Sequence, residues 1–422
     1  MWKVQSGCNF GLKTFVLTRN AIGVGHARVA VIDNSYVTGK QQQCQAVQLH
    51  QPHRCNSSAS RLTDYKRGKG GRSSFSGMVA TVFGCSGFFG KYVVNRLGKM
   101  GCQVICPYRG DPYDVKEPKL MGDLGQILFL PIHLEDEASL RKAMQYSNVV
   151  VNLIGKNNET RNFSFEDVNY LGAQRIARLA KESGVEKLLH FSSLNACPNP
   201  AGHVLPEGSE FLRTKFKGEM AVREEFPEAI VFRPADMFGQ LDHFLTLYAR
   251  PYRRVAGLGG VTYIPLYKKG RTTVKQPVFA SDVGDGVVKA LLDPGCMGKT
   301  FDIVGPHRYR LDHLITYIYQ VLRYSPSNIR LTEFNRTLPF KLQMRLINFV
   351  RPVSPPYSLD RIEREFVTDT LTPGNPTLAD LGVQLTPLEH RIHWEIKPYR
   401  LYNYYWASIG EFPEPDPPPL AH

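Results

Sequence analysis

Three glycines in the stretch VATVFGCSGFFGKYVVNRLGKMG, Gly84, Gly87 and Gly90, stand at the spacing G-x-x-G-x-x-G. A residue without a Cβ lets backbone amides come close to a pyrophosphate, and a helix starting at Phe88 would aim its positive N-terminus at the same group. The chemistry this suggests is nucleotide binding. Arg109 follows nineteen positions after Gly90, at the end of the next apolar run, where a dinucleotide-binding fold meets the adenine ribose. A carboxylate there would accept from a 2′-hydroxyl, whereas an arginine pairs with a 2′-phosphate, so Arg109 favours NADP over NAD. Asp111 and Asp114 lie close enough to keep the hydroxyl reading open.

To hold such a turn, the chain must supply a strand before it and a helix after it, and from Met78 it does so repeatedly. The strand patterns are Ala80 to Phe83, QVICPY, ILFLPIHL, NVVVNLIG, KLLHFSS and AIVFRPADMFG. Helical patterns run to about Met100, from a cap region at Glu135 to Ser139, from Phe165 to Ser183 and around Phe211 to Glu225. Strands alternating with helices, joined by right-handed crossovers, predict an α/β fold with a doubly wound parallel sheet.

With 422 residues, 42% apolar and 21% charged, the chain can bury a large core, and no apolar run approaches the roughly 18 residues of a membrane span. The eight cysteines form no C-x-x-C pair and join no Cys/His cluster of zinc spacing, so reduced thiols and no metal are expected. The net charge of +14 is concentrated: residues 1–72 hold eleven Lys and Arg against Asp33 and Asp64 alone, a balance of +9. That placement predicts a basic organellar presequence ending in a KRGKGGRSS linker and weakens any case for nucleic acid as a partner. A disordered basic extension is the plainer alternative.

From Ser76 to Leu322 the ordered motifs resemble the extended and atypical short-chain dehydrogenase/reductase family. They are the glycine turn, NLIG (Asn152 to Gly155), VNYLGAQRI (Val168 to Ile176), FSS (Phe191 to Ser193), RPADMFG (Arg233 to Gly239), QPVFASDVGDGVVKALLDP and TFDIVGP. The resemblance implies a Rossmann sheet binding NADPH through Gly84, Ser86, Gly87, Phe88, Phe89, Gly90, Arg109, Leu134, Leu153, Ile154, Gly155, Ser192, Lys215 and Pro234. In that family a Tyr-x-x-x-Lys helix transfers the proton; here it reads Phe211-Leu-Arg-Thr-Lys215. Loss of the phenol removes general acid catalysis worth about 10²–10⁴ in rate, which implies binding without turnover and no catalytic residue. His133 stands where the family often has an Asp that meets the adenine, leaving backbone groups at Leu134 for that role.

Within the family, GRSSFSGMVATVFG, PYRGDPYD, MGDLGQILFL, NVVVNLIGKNNET, GVEKLLHFSSLNA, FPEAIV and TVKQPV are similar to a branch of accessory subunits of mitochondrial respiratory complex I. This implies a non-catalytic, NADPH-binding subunit on the matrix side of the inner membrane, at the junction of the peripheral and membrane arms, with other complex I subunits as partners. An active reductase or epimerase in which Ser193, Tyr170 or a water replaces the phenol is the alternative.

The expected division is a presequence and linker over 1–72, a Rossmann core over 73–240, a returning segment over 241–325, and a smaller α-rich, aromatic region over 326–422. In the last, LDHLITYIYQVLR predicts an amphipathic helix just ahead of the boundary, and PFKLQMRLINFVRPVSPPYSLDRIEREF suits either a core helix with a linker or peripheral contact with lipid. The Tyr- and Trp-rich stretch from Leu378 to Gly410 suits a protein interface, and EFPEPDPPPLAH should be extended or disordered.

Overall fold

A computed structural model describes residues 76–257, 260–334, 338–350, 358–406 and 409–421. The expected presequence, 1–72, lies outside the described residues. Seven apolar runs form one parallel sheet: β1 (Val79–Phe83), β2 (Gln103–Tyr108), β3 (Ile127–Pro131), β4 (Val149–Asn152), β5 (Lys187–Phe191), β6 (Ile230–Pro234) and β7 (Thr300–Ile303). Their order is β7-β6-β5-β4-β1-β2-β3. The direction of progress reverses between β1 and β4, and that reversal opens a crevice at the strands' carboxyl ends. Phe83 pairs with Asn152 in register, which puts Gly84 and Leu153 side by side at its floor.

Both faces of the sheet are covered, as a parallel sheet requires. On one side, α1 (Phe88–Lys99) buries Phe89, Val93 and Leu97 at a spacing of four and packs beside α5 (Ala280–Leu292). The other side carries α2 (Glu137–Met144) and α3 (Gly172–Glu182), and Val222 of α4 (Glu210–Glu225) joins their core. The sequence predicts one regular helix from Phe165 to Ser183; instead a π-helical stretch, Glu166–Leu171, precedes α3. There the backbone of α4 comes so close that a Cβ on Gly218 would sit 2.0 Å from the Asn169 carbonyl. The wider turn places Asn169 against α4, with its amide donating to Thr214.

A second apolar core forms around α6 (Leu311–Val321). This helix is buried on nearly every side rather than on one face, because α9 (Leu388–Glu395), Phe340 and Met344 cover the stripe that would otherwise face water. Phe340 and Met344 belong to α7 (Leu338–Val350), and α8 (Leu359–Phe366) follows. The region expected to be α-rich also supplies a strand, Ile329–Glu333, which pairs in parallel with Thr262–Leu266. At the sheet margin, no eighth strand follows β7 among the described residues; the Asp302 amide donates to Pro376 O, and Asp302 bridges to Thr377. The proline-rich end runs extended, with the Ala421 amide donating to Arg308 O.

Candidate functional site

The crevice between β1 and β4 deepens into a cleft of about 340 Å³. Of the residues anticipated from sequence, Gly84, Gly87, Phe88, Phe89, Gly90, Leu153, Gly155, Ser192, Lys215 and Pro234 line it. The turn has the geometry the glycines imply. Gly84 has φ +86, a conformation that L side chains rarely adopt, and its carbonyl accepts from the Gly87 amide at 3.1 Å. A Cβ on Gly90 would lie 2.2 Å from the Gly84 carbonyl, so only glycine lets α1 start this close to the turn. Gly87 caps α1 without a side-chain bond, and the first turn of α1 holds no acid, so its N-terminal dipole faces the cleft without a carboxylate of its own.

Four anticipated residues lie outside the lining. Ser86 is half-buried in the turn, and the Ile154 amide donates to Asn152 Oδ1. Leu134 is buried: its carbonyl accepts from Arg175 at 2.8 Å and its side chain packs under Gly172, so that carbonyl is already engaged. Arg109 stands exposed beyond β2, with its guanidinium carbon 5.0 Å from the ring centre of Phe163. Lys156 Nζ stands 5.7 Å from the same ring, and the His133 ring is 6.2 Å away. Burial, and then the charge of Arg109, push the Lys156 ammonium below its usual range. Two cations that repel one another across an aromatic ring suit a phosphate or adenosine group better than an empty surface.

At the inner end, Phe211 holds the place where the family's phenol is expected. Its ring lies edge-on to Phe165 at 5.9 Å and under the Arg364 guanidinium at 4.0 Å. One turn on, Lys215 Nζ donates to the Phe191 carbonyl at 3.0 Å and would touch any Cβ placed on Gly155. Burial, and then the Arg364 charge, lower Lys215 to about 8. His190, beneath it, is lowered to about 3 by burial and then by Lys215, so it is neutral at physiological pH. Ser192 Oγ, which lines the cleft, and Asn169 Oδ1, 3.7 Å from a Cβ on Gly155, are buried and lack a hydrogen-bond partner. Ser193 also lines the cleft, and Tyr170 does not.

A dinucleotide fits these residues. The glycine cradle leaves room for a diphosphate, and two orphaned polar atoms stand with Lys215 where a nicotinamide ribose would lie. When bound, such a cofactor supplies hydride chemistry; Phe211 can neither give nor take the proton that carbonyl reduction needs. Among the described residues, no group of His, Cys, Asp and Glu is arranged to hold a metal ion.

The model of the NAD dependent epimerase/dehydratase family matches residues 80–319, more than half the chain. The chain belongs to that family. Among its relatives, the mitochondrial NADH dehydrogenase (ubiquinone) 1 alpha subcomplex subunit 9 of Mus musculus is 45% identical over 351 residues, covering 82% of this chain and 86% of that one. The mitochondrial NADH-ubiquinone oxidoreductase 40 kDa subunit of Neurospora crassa is 33% identical over 341 residues, covering 80% and 84%. In fold, the chain is similar to a double mutant of dTDP-glucose 4,6-dehydratase from Streptomyces venezuelae solved with NAD, with a TM-score of 0.55, 16% identity, and 78% and 99% coverage. That likeness shows the Rossmann-type architecture of the epimerase/dehydratases.

Sequence reasoning missed Lys156, Phe163, Arg361 and Arg364. Lys156 had a signal, since it directly follows the last glycine of NLIG. Arg361 and Arg364 come from α8, beyond the matched family block, and nothing local to their sequence points at a cleft.

Proposed function

We propose that this chain is a non-catalytic accessory subunit of mitochondrial respiratory complex I that binds one NADPH tightly as part of its structure. It supports assembly and stability where the matrix and membrane arms meet, on the matrix side of the inner membrane, and its partners are other subunits of the complex. The observation that carries this reading is the pairing of an intact dinucleotide cradle with Phe211 at the proton-donor position. Arg109 and Lys156 flanking Phe163 support the 2′-phosphorylated cofactor, and the printed names of the mouse and fungal relatives support the assembly.

Membrane contact would be peripheral. Among the described residues, no helix is long and apolar enough to cross a bilayer. On α7, however, Leu342, Leu346 and Phe349 are 70%, 64% and 83% exposed, and Lys341 and Arg345 beside them are exposed as well. An apolar stripe flanked by cations suits anionic headgroups.

The test is direct. Protein purified without added nucleotide should release NADPH on denaturation, and stripped protein should regain stability with NADPH at far lower concentration than with NADH. Arg109→Gln should abolish that preference. No bound nucleotide, and a melting temperature indifferent to NADPH, would remove the cofactor from the proposal. Separately, native electrophoresis of mitochondrial membranes should place the chain in the complex I band.

Ser193 in the cleft keeps a reductase or epimerase as the second reading. Single-turnover oxidation of bound NADPH by carbonyl compounds would favour it.

A further inference from the structure

Two thiols beside the glycine turn have no part in the cofactor reading. Cys85 is in the turn itself, between Gly84 and Ser86, and Cys106 is in β2. β1 pairs with β2 up to Thr81 and Ile105, so Cys106 follows directly, and it packs with Cys85, Phe89 and Val93 in the core beneath α1. Both thiols are free and 0% exposed. Cys85 Sγ donates to the Pro107 carbonyl at 3.4 Å, which brings it against the residue next to Cys106. The two side chains also interact directly. A hydrogen bond with Cys106, helped by the amides of Cys85 and Ser86 and opposed by burial, holds the Cys85 thiol below its ordinary value. The bond with Cys85, and then burial, pushes Cys106 well up. One sulfur is disposed to ionise and its neighbour to keep its proton, the division that an attacking and a resolving thiol need.

The turn has little slack in which to move. A Cβ on Gly90 would lie 2.7 Å from Cys85 Cα, so the backbone of Cys85 bears on the first turn of α1. Disulfide sulfurs stand about 2.05 Å apart, far inside hydrogen-bond contact. Joining these two must draw the turn toward β2 and out of the geometry that α1 and the glycines set. Cys102, just before the other end of β2, accepts from Ser76 Oγ at 3.3 Å instead.

We propose that Cys85 and Cys106 form a peroxide-sensitive dithiol whose closure to a disulfide loosens the dinucleotide held on the glycine turn. This rests on the proposed cofactor reading and adds a control to it. The Cys85 thiolate attacks one oxygen of hydrogen peroxide, the O–O bond breaks, and hydroxide leaves a sulfenic acid behind. Cys106 then attacks the Cys85 sulfur, the S–O bond breaks, and the departing oxygen takes the Cys106 proton as water. Overall, two thiols and one peroxide become a disulfide and two waters. Burial keeps bulky disulfides away from the pair and leaves a small neutral peroxide as the oxidant the site admits.

Full-length protein stripped of nucleotide is treated with hydrogen peroxide, alkylated after unfolding and mapped by mass spectrometry. Peptides carrying Cys85 and Cys106 should be joined, and prior addition of NADPH should slow the joining. The oxidised protein should bind NADPH and NADH alike roughly 10-fold or more weakly, and dithiothreitol should restore both. Cys106→Ala, or Cys106→Ser as a variant of similar size, should bind NADPH as the reduced wild type does and keep that affinity after peroxide. Alkylation of both thiols after peroxide would overturn the proposal, as would a mapped disulfide with both affinities within twofold of the reduced protein. A Cys106→Ala protein as sensitive as the wild type would overturn it too, and each of these results would leave the cofactor reading standing. Reduced wild-type protein that binds neither nucleotide would overturn both.

Discussion

On the β1–α1 side, the cleft is made of backbone and apolar packing: Gly84 in a left-handed conformation, one amide-to-carbonyl bond across the turn, and Phe89, Val93 and Leu97 seated on the sheet. On the α8 side it is made of charge taken out of water. Arg253 is 0% exposed and pairs with Glu365, while Glu363 accepts three amides and Lys275 lies between Asp236 and Asp369. The two sides fail in different ways. Apolar packing weakens in proportion to the atoms removed, whereas a desolvated ion is stabilised only while its partner is present.

The sharpest break in that comparison is Glu365→Gln. It leaves the buried Arg253 guanidinium without its carboxylate and should cost about 3–5 kcal/mol in urea unfolding. A loss under about 1 kcal/mol would mean that the two sides are held alike. Next in size, Gly90→Ala drives a Cβ against the Gly84 carbonyl and should cost about 1–3 kcal/mol as the turn shifts. Its effect on NADPH affinity should exceed its effect on unfolding, since the turn is the proposed cradle.

A smaller effect is set by pH. Lys215 is lowered to about 8 in the fold, against about 10.4 in an unfolded chain. Its charge therefore opposes folding in full below about pH 8, and stability should rise as pH goes from about 8 to about 10. Lys215→Met should remove that rise and be relatively most stabilising near pH 7; unchanged pH profiles would deny the shift. NADPH, by bringing anions to the cleft, should be bound with proton uptake near pH 8, which calorimetry in buffers of different ionisation enthalpy reads. The smallest effect is expected from Phe211→Tyr. It restores a phenol under Arg364 and should leave bound NADPH unoxidised by carbonyl compounds, because the guanidinium covers the ring face at 4.0 Å.

The same contrast explains what could be read from the chain. The β1–α1 side was legible because its determinants are adjacent: an apolar run, three glycines and a spacing of four fit within about two dozen residues. The doubly wound parallel class followed from alternation and crossover handedness. The α8 side was not legible, because LDRIEREF carries five charged residues in eight and reads as a solvent-facing helix. Distant partners such as Arg253, Ser209 and the 203–205 backbone turn those charges inward. Leu134 offered its backbone groups by sequence position, and Arg175, forty-one residues later, takes the carbonyl among them. Phe211 was read directly, since a missing hydroxyl needs no tertiary context.

The segment beside β7 has a consequence for how the molecule meets its neighbours. A terminal strand offers a row of unpaired amides and carbonyls on which another chain's strand can grow. Here Asp302 occupies that row from within: its amide donates to Pro376 O, and its buried carboxylate accepts from the Thr372 amide at 2.7 Å and Asn375 Nδ2 at 3.1 Å. Residues 372–377 act as a short guard rail, irregular enough to continue no sheet yet bonded closely enough to deny the edge to a second copy. Wherever the chain packs against another protein, this leaves side chains, rather than strand addition at that margin, to decide which surfaces come together.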